Sequence, residues 1–418
     1  KTNLYRQDNK MLQINRERFL SDFEVVSQFG ATNDGGVSRP ALSEPDMAAR
    51  NWLKGRIEAA GLVYNQDTAG NQFGRLIGAD DSRVILTGSH LDSVPDGGRF
   101  DGALGVLASL EAIRTISESG QKLPLSLELV NFTDEEGTLL GLMGSRAVVG
   151  QIKPSEFENP RGGRSHLISS MDRAGLTEAG VMNAKRDDIA AYLELHIEQG
   201  KRLLAGGTDI GVVTALVGIR SYSLHFYGQA AHAGTTPMAE RADALWAATE
   251  FIQKAKDHIM KHYTPGVVNF GMIEAHPGAF NIVPGEVVLA MEFRHGSDEA
   301  MDDMAADLLQ LAHEVTNTDN LSLTVENAAS IHPAPMSDLV VQAVETACTQ
   351  LDLGSMRLLS FAGHDAQSIA QVAPAGMLFV PSVDGISHNP AEYTRPDDMV
   401  NGANVVLHSL LALFGKLV

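Results

Sequence analysis

Val84-Ile-Leu-Thr-Gly-Ser-His-Leu-Asp92 and Leu125-Ser-Leu-Glu-Leu-Val-Asn-Phe132 are apolar runs of strand length, and between them lies a helix-like stretch, Ala103–Ile116. A strand buried on both faces reads as a continuous apolar run, and apolar strands alternating with helices are the pattern of a sheet covered by helices on both sides. The pattern continues in Ala191-Tyr-Leu-Glu-Leu-His196 and in Ala375–Pro381. The expected fold class is therefore α/β, with a three-layer domain built on a mainly parallel sheet.

Each of these strands ends in a candidate ligand or base. Leu125–Phe132 leads to Glu135 and Glu136, whose side chains point in opposite directions if the chain stays extended, so that one can hold a metal while the other reaches a water. Taken alone, paired acids also mark an ordinary exposed turn. The first strand, however, exits through His90 and Asp92, two positions apart and so on one side. His90 can give one ring nitrogen to a metal while Asp92, or another acceptor, takes the proton on the other. The glycine-rich turn Pro95-Asp-Gly-Gly-Arg-Phe-Asp101-Gly-Ala can bring Asp101 back beside His90, and the later strands deliver His196 and His388. The carboxyl ends of parallel strands line one crevice, where residues distant in sequence converge.

Three histidines and two carboxylates are too few for two separate complete sites, but they suffice for two metals if one carboxylate bridges. Nitrogen and oxygen donors without thiolate suit Zn²⁺, Mn²⁺, Co²⁺ or Ni²⁺. Two cations would acidify a water and polarise a carbonyl, with Glu135 as the general base. A serine mechanism has no Gly-x-Ser-x-Gly elbow to rest on. Cys348 lies in a helix-like run, Leu339–Leu351, where a small buried side chain is the default.

The stretches Gly88-Ser-His-Leu-Asp-Ser-Val-Pro, Gly97-Gly-Arg-Phe-Asp-Gly-Ala-Leu-Gly-Val, Asp134-Glu-Glu-Gly, Leu193-Glu-Leu-His-Ile-Glu-Gln-Gly, His232-Ala-Gly-Thr-Thr-Pro, Ala362-Gly-His-Asp-Ala and Ser387-His-Asn-Pro-Ala-Glu occur in this order. With them the chain resembles the dinuclear metal amidohydrolases of the M20 peptidase superfamily, most closely the hydantoinase/carbamoylase amidases. The resemblance spans nearly the whole chain. It implies two divalent metal ions per subunit, bridged by Asp101, with His90 and His196 on one and Glu136 and His388 on the other, and with Glu135 as base and Asp92 beside it. It also implies that His232 stabilises the oxyanion in a neighbouring subunit's site, that Asn281 and Arg294 bind the substrate carboxylate, and that Gln199, Gly363 and His364 contact the ureido or acid group. A guanidinium suits a planar carboxylate because two parallel hydrogen bonds form.

One stretch departs from the family. Where the family usually reads Gly-Ser-Arg-Phe and a longer loop after the double glutamate, this chain has Gly137-Thr-Leu-Leu-Gly-Leu-Met-Gly-Ser145, without the arginine or the phenylalanine. The metal site should survive that change, whereas substrate choice is exposed to it.

The 418 residues are enough for two to three domains. Ile14–Phe29 and Met47–Ala60 read as helices, and short strands flank Asp67-Thr-Ala-Gly-Asn71. Around Gly211 the character changes: Ile219–Tyr227, Val267–Ile273 and Val287–Arg294 read as strands, Pro237–His262 and Ala300–Thr316 as helices, and Leu321–Val325 as a last strand before the return. The expected domains are a catalytic one over 1–212 and 329–418 and an inserted smaller α+β one over 213–328, which the resemblance implies is a lid and dimerisation domain. A net charge of −20 argues against nucleic acid. No apolar run is read as membrane-spanning, and Lys1-Thr-Asn-Leu-Tyr-Arg lacks the apolar core of a secretory signal. A single cysteine forms no internal disulfide and fits a reducing cytosol.

The function expected is cleavage of the carbamoyl C–N bond of an N-carbamoyl-L-amino acid by a cytoplasmic homodimer, the partner being a small ureido or acyl amino acid. Allantoate, N-carbamoyl-β-alanine and N-acyl amino acids are the close alternatives. A plain M20 peptidase would prefer dipeptides, and a noncatalytic binding protein would have lost a ligand or the base. His225, His258, His262 and His313 are read as structural or solvated.

Overall fold

The structure, a computed structural model, describes residues 6–7, 10–317 and 320–417; Lys1–Tyr5, and with them most of the N-terminal stretch discussed above, lie outside the described residues. The chain forms two compact units, Lys1–Thr214 with Met336–Val418, and Ala215–Pro335.

The larger unit is built on one sheet whose centre is parallel. Ala375–Val380, Ile189–Ile197, Asp80–His90 and Leu125–Phe132 lie side by side in that order and run the same way. The flanks are antiparallel: Ile210–Leu216 beside Ala375–Val380, and Gln72–Leu76 then Val63–Gln66 beyond Leu125–Phe132. Antiparallel flanks need only short connections, as between Gln66 and Gln72, whereas the parallel centre needs helical crossovers. All eight residues of Leu125–Phe132 are buried, which requires cover on both faces of the sheet. Ala103–Glu118 supplies part of it. Fourteen of its sixteen residues are buried, as a helix apolar on all sides requires.

Helix ends follow their caps. Asn15 accepts from Arg18 N and starts the first helix at Arg16 rather than at residue 14, and Ser43 starts the next at Glu44 rather than Met47. The last helix, Pro396–Leu417, corrects the expectation that no run is long and apolar enough to cross a membrane, because by length and composition this one is. Its apolar character has another cause: 72% of its most apolar window is buried inside the protein, where the helix packs on Ala103–Glu118 and Asp338–Gln350.

The smaller unit has a four-stranded antiparallel sheet in the order Val267–His276, Glu286–His295, Gly218–Tyr227, Ser322–Ile331. Burial alternates along Glu286–His295, so Val287, Leu289, Met291 and Phe293 face a core shared with Phe251, Met304 and Leu308 of the helices Ala244–His262 and Asp298–Thr316. The helix expected from Pro237 begins only at Ala244. Asp243 caps it by accepting from Leu245 N and Trp246 N, and the preceding loop is tied back by Arg241, which donates to the carbonyls of Ala233 and Thr236.

Candidate metal centre

The parallel strands set the site. Register places His90 level with Phe132 and His196 level with Phe379, so both histidines stand at the carboxyl end of the sheet with the Glu135-Glu136 turn just beyond. Asp101 arrives through Gly102, whose φ of +62° and whose approach to the His90 ring leave no room for a side chain; a Cβ there would lie 2.3 Å from the imidazole.

Around Asp101 the donor atoms form two clusters that share its carboxylate, His90–Asp101–His196 and Asp101–Glu136–His388. Asp101 Oδ1 lies 3.0 Å from His196 Nε2 and 3.5 Å from His90 Nε2. Its Oδ2 lies 3.5 Å from His388 Nε2, which is itself 3.3 Å from Glu136 Oε2. Glu135 Oε2 stands 3.5 Å from His90 Nε2.

The tautomers show what these atoms need. His90 Nδ1 lies 2.9 Å from the main-chain carbonyl of Asp92, and His196 Nδ1 lies 3.0 Å from that of Ile197. A carbonyl only accepts, so Nδ1 carries a proton in both rings, and each Nε2, once it gives up its own proton, presents a lone pair to the Asp101 carboxylate. A lone pair facing an anion is repulsive unless a cation lies between. His90 Nε2 and Glu136 Oε1 are buried with no hydrogen-bond partner, which is the state of atoms that complete their valence on a metal. The donor set, three imidazoles and two carboxylates, fits a divalent ion.

The same excess of negative charge appears as displaced acidities. Burial works to lower His90, but Glu135, Asp101 and Asp92 outweigh it and hold the imidazole well above its usual range. His388 is raised to about 9 by its hydrogen bond to Asp101, against burial and with the help of Glu136. Burial, then the Asp101 charge, pushes Glu136 up to about 8. Burial also raises Glu135 well above the usual carboxylate range. Protons take the place of cations in a site short of positive charge.

Asp92 does not hold the His90 proton through its carboxylate, which lies 3.7 Å from Nδ1; its main-chain oxygen does. The carboxylate instead accepts from the N–H groups of Glu135 and Glu136 at 3.3 and 3.2 Å. It therefore orients the turn that carries both acids. Gln199, at φ +55°, donates its amide to Asp101 Oδ2 at 2.7 Å and to Ser387 at 3.1 Å. His364 is buried beneath His196, ring centroids 4.3 Å apart, with Nε2 3.1 Å from the Ser360 hydroxyl. Burial, and then the His196 charge, hold it well below its usual pKa, hence neutral. Gly363 is exposed in the loop just before it.

In the smaller unit, His232 and Asn281 are neighbours: His232 pairs with Ile282, and Asn281 O accepts from Ala233 N at 2.9 Å. His232 Nδ1 accepts from the N–H groups of Gly234 and Thr235, so the neutral ring carries its proton on Nε2. Arg294 lies on the sheet face opposite that unit's core and pairs with Glu292 at 2.8 Å.

Three supporting residues escaped the sequence reading. Glu392 accepts from Phe100 N and Asp101 N and from the Ser387 hydroxyl, fixing the backbone of the shared aspartate. Its place in Ser387-His-Asn-Pro-Ala-Glu was the available signal. Asp134, at φ +57°, accepts from the N–H groups of Leu139, Leu140 and Gly141 and from the Thr138 hydroxyl, closing the shortened loop. Glu194, fully buried, accepts from Ser89 and from Ala366 N.

The family model for Peptidase family M20/M25/M40 matches residues 86–412. The chain is 36% identical over 405 residues to an N-carbamoyl-L-amino acid amidohydrolase of Geobacillus stearothermophilus, covering 96% of this chain and 99% of the relative. It is 34% identical to an allantoate amidohydrolase of Bacillus subtilis (strain 168), covering 94% and 97%. A crystal structure of an amidase of the hydantoinase/carbamoylase family from Burkholderia multivorans superposes with a TM-score of 0.88 at 36% identity, covering 96% and 98%. The strand-end cluster of imidazoles and carboxylates and these likenesses agree: the chain belongs to peptidase family M20/M25/M40, among its hydantoinase/carbamoylase amidases, and is a metal-dependent amidohydrolase.

Proposed function

We propose that this chain hydrolyses the carbamoyl C–N bond of an N-carbamoyl-L-amino acid, consuming one water and releasing the amino acid, ammonia and carbon dioxide. The observation that carries the reading is the pair of Nε2 lone pairs, on His90 and His196, turned toward the Asp101 carboxylate that two donor clusters share. In this reading His90, Asp101, Glu136, His196 and His388 would hold two divalent ions, of zinc, manganese, cobalt or nickel. When bound they supply Lewis acidity and lower the pKa of water.

The protein's own groups do the rest. Glu135, 3.5 Å from His90 Nε2 and held from behind by Asp92, removes the proton from the attacking water and returns it to the departing nitrogen. Its raised basicity suits proton removal. Gln199, Ser387 and Glu392 keep Asp101 in place, and neutral His364 supports the His196 ring from beneath. Gly363 and His364 close the ureido end of the substrate.

His232 donates from Nε2 to the oxyanion, and its position next to Asn281 groups two donors for a bound anion. Arg294 clamps the substrate carboxylate, which displaces Glu292. By the family resemblance, that oxyanion donor is His232 of the partner subunit. A homodimer is supported by the edge strand Val267–His276, which exposes Val267, Met272 and Ile273 and, among the described residues, pairs with a strand on one side only. The lone Cys348, buried, fits a cytoplasmic home.

Allantoate is the second reading, because a relative of that activity covers nearly the whole chain. Turnover measured across N-carbamoyl, ureido, N-acyl and dipeptide substrates with each of the four metals tests the assignment. The highest kcat/KM on an N-carbamoyl-L-amino acid is expected; a preference for dipeptides would replace this reading with a peptidase.

A further inference from the structure

The loops that follow the strands Ile189–Ile197 and Ser355–Ser360 enclose a cavity of about 300 Å³. Gln199 forms part of its wall, and the same amide touches Asp101 at 2.7 Å, so the cavity adjoins the metal centre. Its depth is apolar: Leu358 and Phe379 are buried, and the Phe379 ring stands edge-on to His196 with centroids 6.4 Å apart. Arg202 lines it too, its guanidinium 4.8 Å from the Phe361 ring centroid.

That guanidinium is held but not neutralised. The nearest acid in sequence, Glu198, also lines the cavity, but its carboxylate is taken up by the main chain, with Oε1 accepting from Arg202 N at 2.7 Å and Oε2 from Leu203 N at 3.0 Å. The Arg202 side chain makes one long bond, 3.4 Å to the Leu359 carbonyl, and among the described residues it forms no ion pair. In a chain of net charge −20, an arginine stacked on an aromatic ring with its hydrogen-bonding edge unfilled is suited to a planar anion, which it receives by two parallel bonds.

We propose that this cavity receives the substrate's own side chain and that Arg202 selects a carboxylate on it. The preferred substrates are then N-carbamoyl α-amino dicarboxylic acids of aspartate or glutamate length. This rests on the hydrolysis proposed above and names its substrate class; Arg202 serves the side-chain carboxylate.

The test compares kcat and KM for N-carbamoyl-aspartate, N-carbamoyl-glutamate and N-carbamoyl-leucine in the metal-loaded wild type, Arg202→Gln and Arg202→Lys, with calorimetric binding of glutarate to the same proteins. The wild type should favour a dicarboxylate. Arg202→Gln should lower the ratio of kcat/KM for the dicarboxylate over that for the leucine derivative by about tenfold or more, through KM, and weaken glutarate by a similar factor; Arg202→Lys should recover part of both. An unchanged ratio, or a wild type that favours the leucine derivative, overturns the proposal. If no carbamoyl compound is turned over by any loaded form, the hydrolysis reading fails, and glutarate binding then decides the role of Arg202: equal affinity in wild type and Arg202→Gln overturns it.

Discussion

His90 and His196 commit Nδ1 to main-chain carbonyls, and that choice suits their other nitrogens to ligating a metal rather than donating. Glu135 differs from Glu136 in what it faces: Glu136 Oε2 meets His388 at 3.3 Å within a donor cluster, whereas Glu135 belongs to neither cluster. Glu135→Gln removes the basic oxygen and keeps the shape. It is expected to cut kcat on the order of 10³-fold while metal content, measured by atomic spectroscopy, stays at the wild-type level; loss of metal in this variant would make Glu135 a ligand instead. Acidity gives a second expectation. Without cations His388 titrates near about 9 and Glu136 near about 8, so both are largely protonated at pH 7, and a metal must displace those protons. Loading the metal-free protein should release about two or more protons at pH 7 and tighten as pH rises toward 9. Calorimetry in buffers of different ionisation enthalpy measures this, and an uptake free of proton release would contradict it.

At the scale of elements, turns complete the site that the parallel strands set. Asp134 sits at φ +57° and gathers three N–H groups of the loop that follows Glu135 and Glu136, so the loop closes without the arginine and phenylalanine that the family usually carries there. Leu139 goes into the core beside Met143 and Phe157. Asp134→Ala leaves those N–H groups without their acceptor and puts a Cβ-only side chain in a left-handed conformation. Together these should cost on the order of 3 kcal/mol of unfolding free energy. Thermal unfolding checks the cost; a variant as stable as wild type would show that the loop holds itself. Why this turn escaped the sequence reading is physical: an aspartate followed by Glu-Glu-Gly has the composition of any exposed turn, and only the folded chain shows that its carboxylate is buried and filled.

At the scale of the whole molecule, the proposed dimer carries a prediction of its own. Glu135→Gln and His232→Ala are each expected to be nearly inactive alone. If each site uses its own base and His232 of the partner subunit, a mixed dimer regains one working site. Unfolding, mixing and refolding equal amounts of the two should then restore about one quarter of wild-type activity, whereas a mixture as inactive as its parts would place base and imidazole in one subunit.

The apolar runs and the order of the stretches from Gly88 to Glu392 by themselves determined that this chain folds on a parallel-centred sheet and belongs among the metal amidohydrolases, because strand burial and donor chemistry are written in residue type and spacing. The tertiary structure alone decided the rest. It gave the His90 proton to the Asp92 main-chain oxygen and turned the Asp92 carboxylate toward the N–H groups of Glu135 and Glu136. It sank His364 beneath His196 and buried Pro396–Leu417 in the core. It left Arg202 stacked on Phe361 with no counterion among the described residues. Each depends on which main-chain oxygen, ring or apolar surface arrives from a distant part of the chain, and residue order does not encode that distance directly.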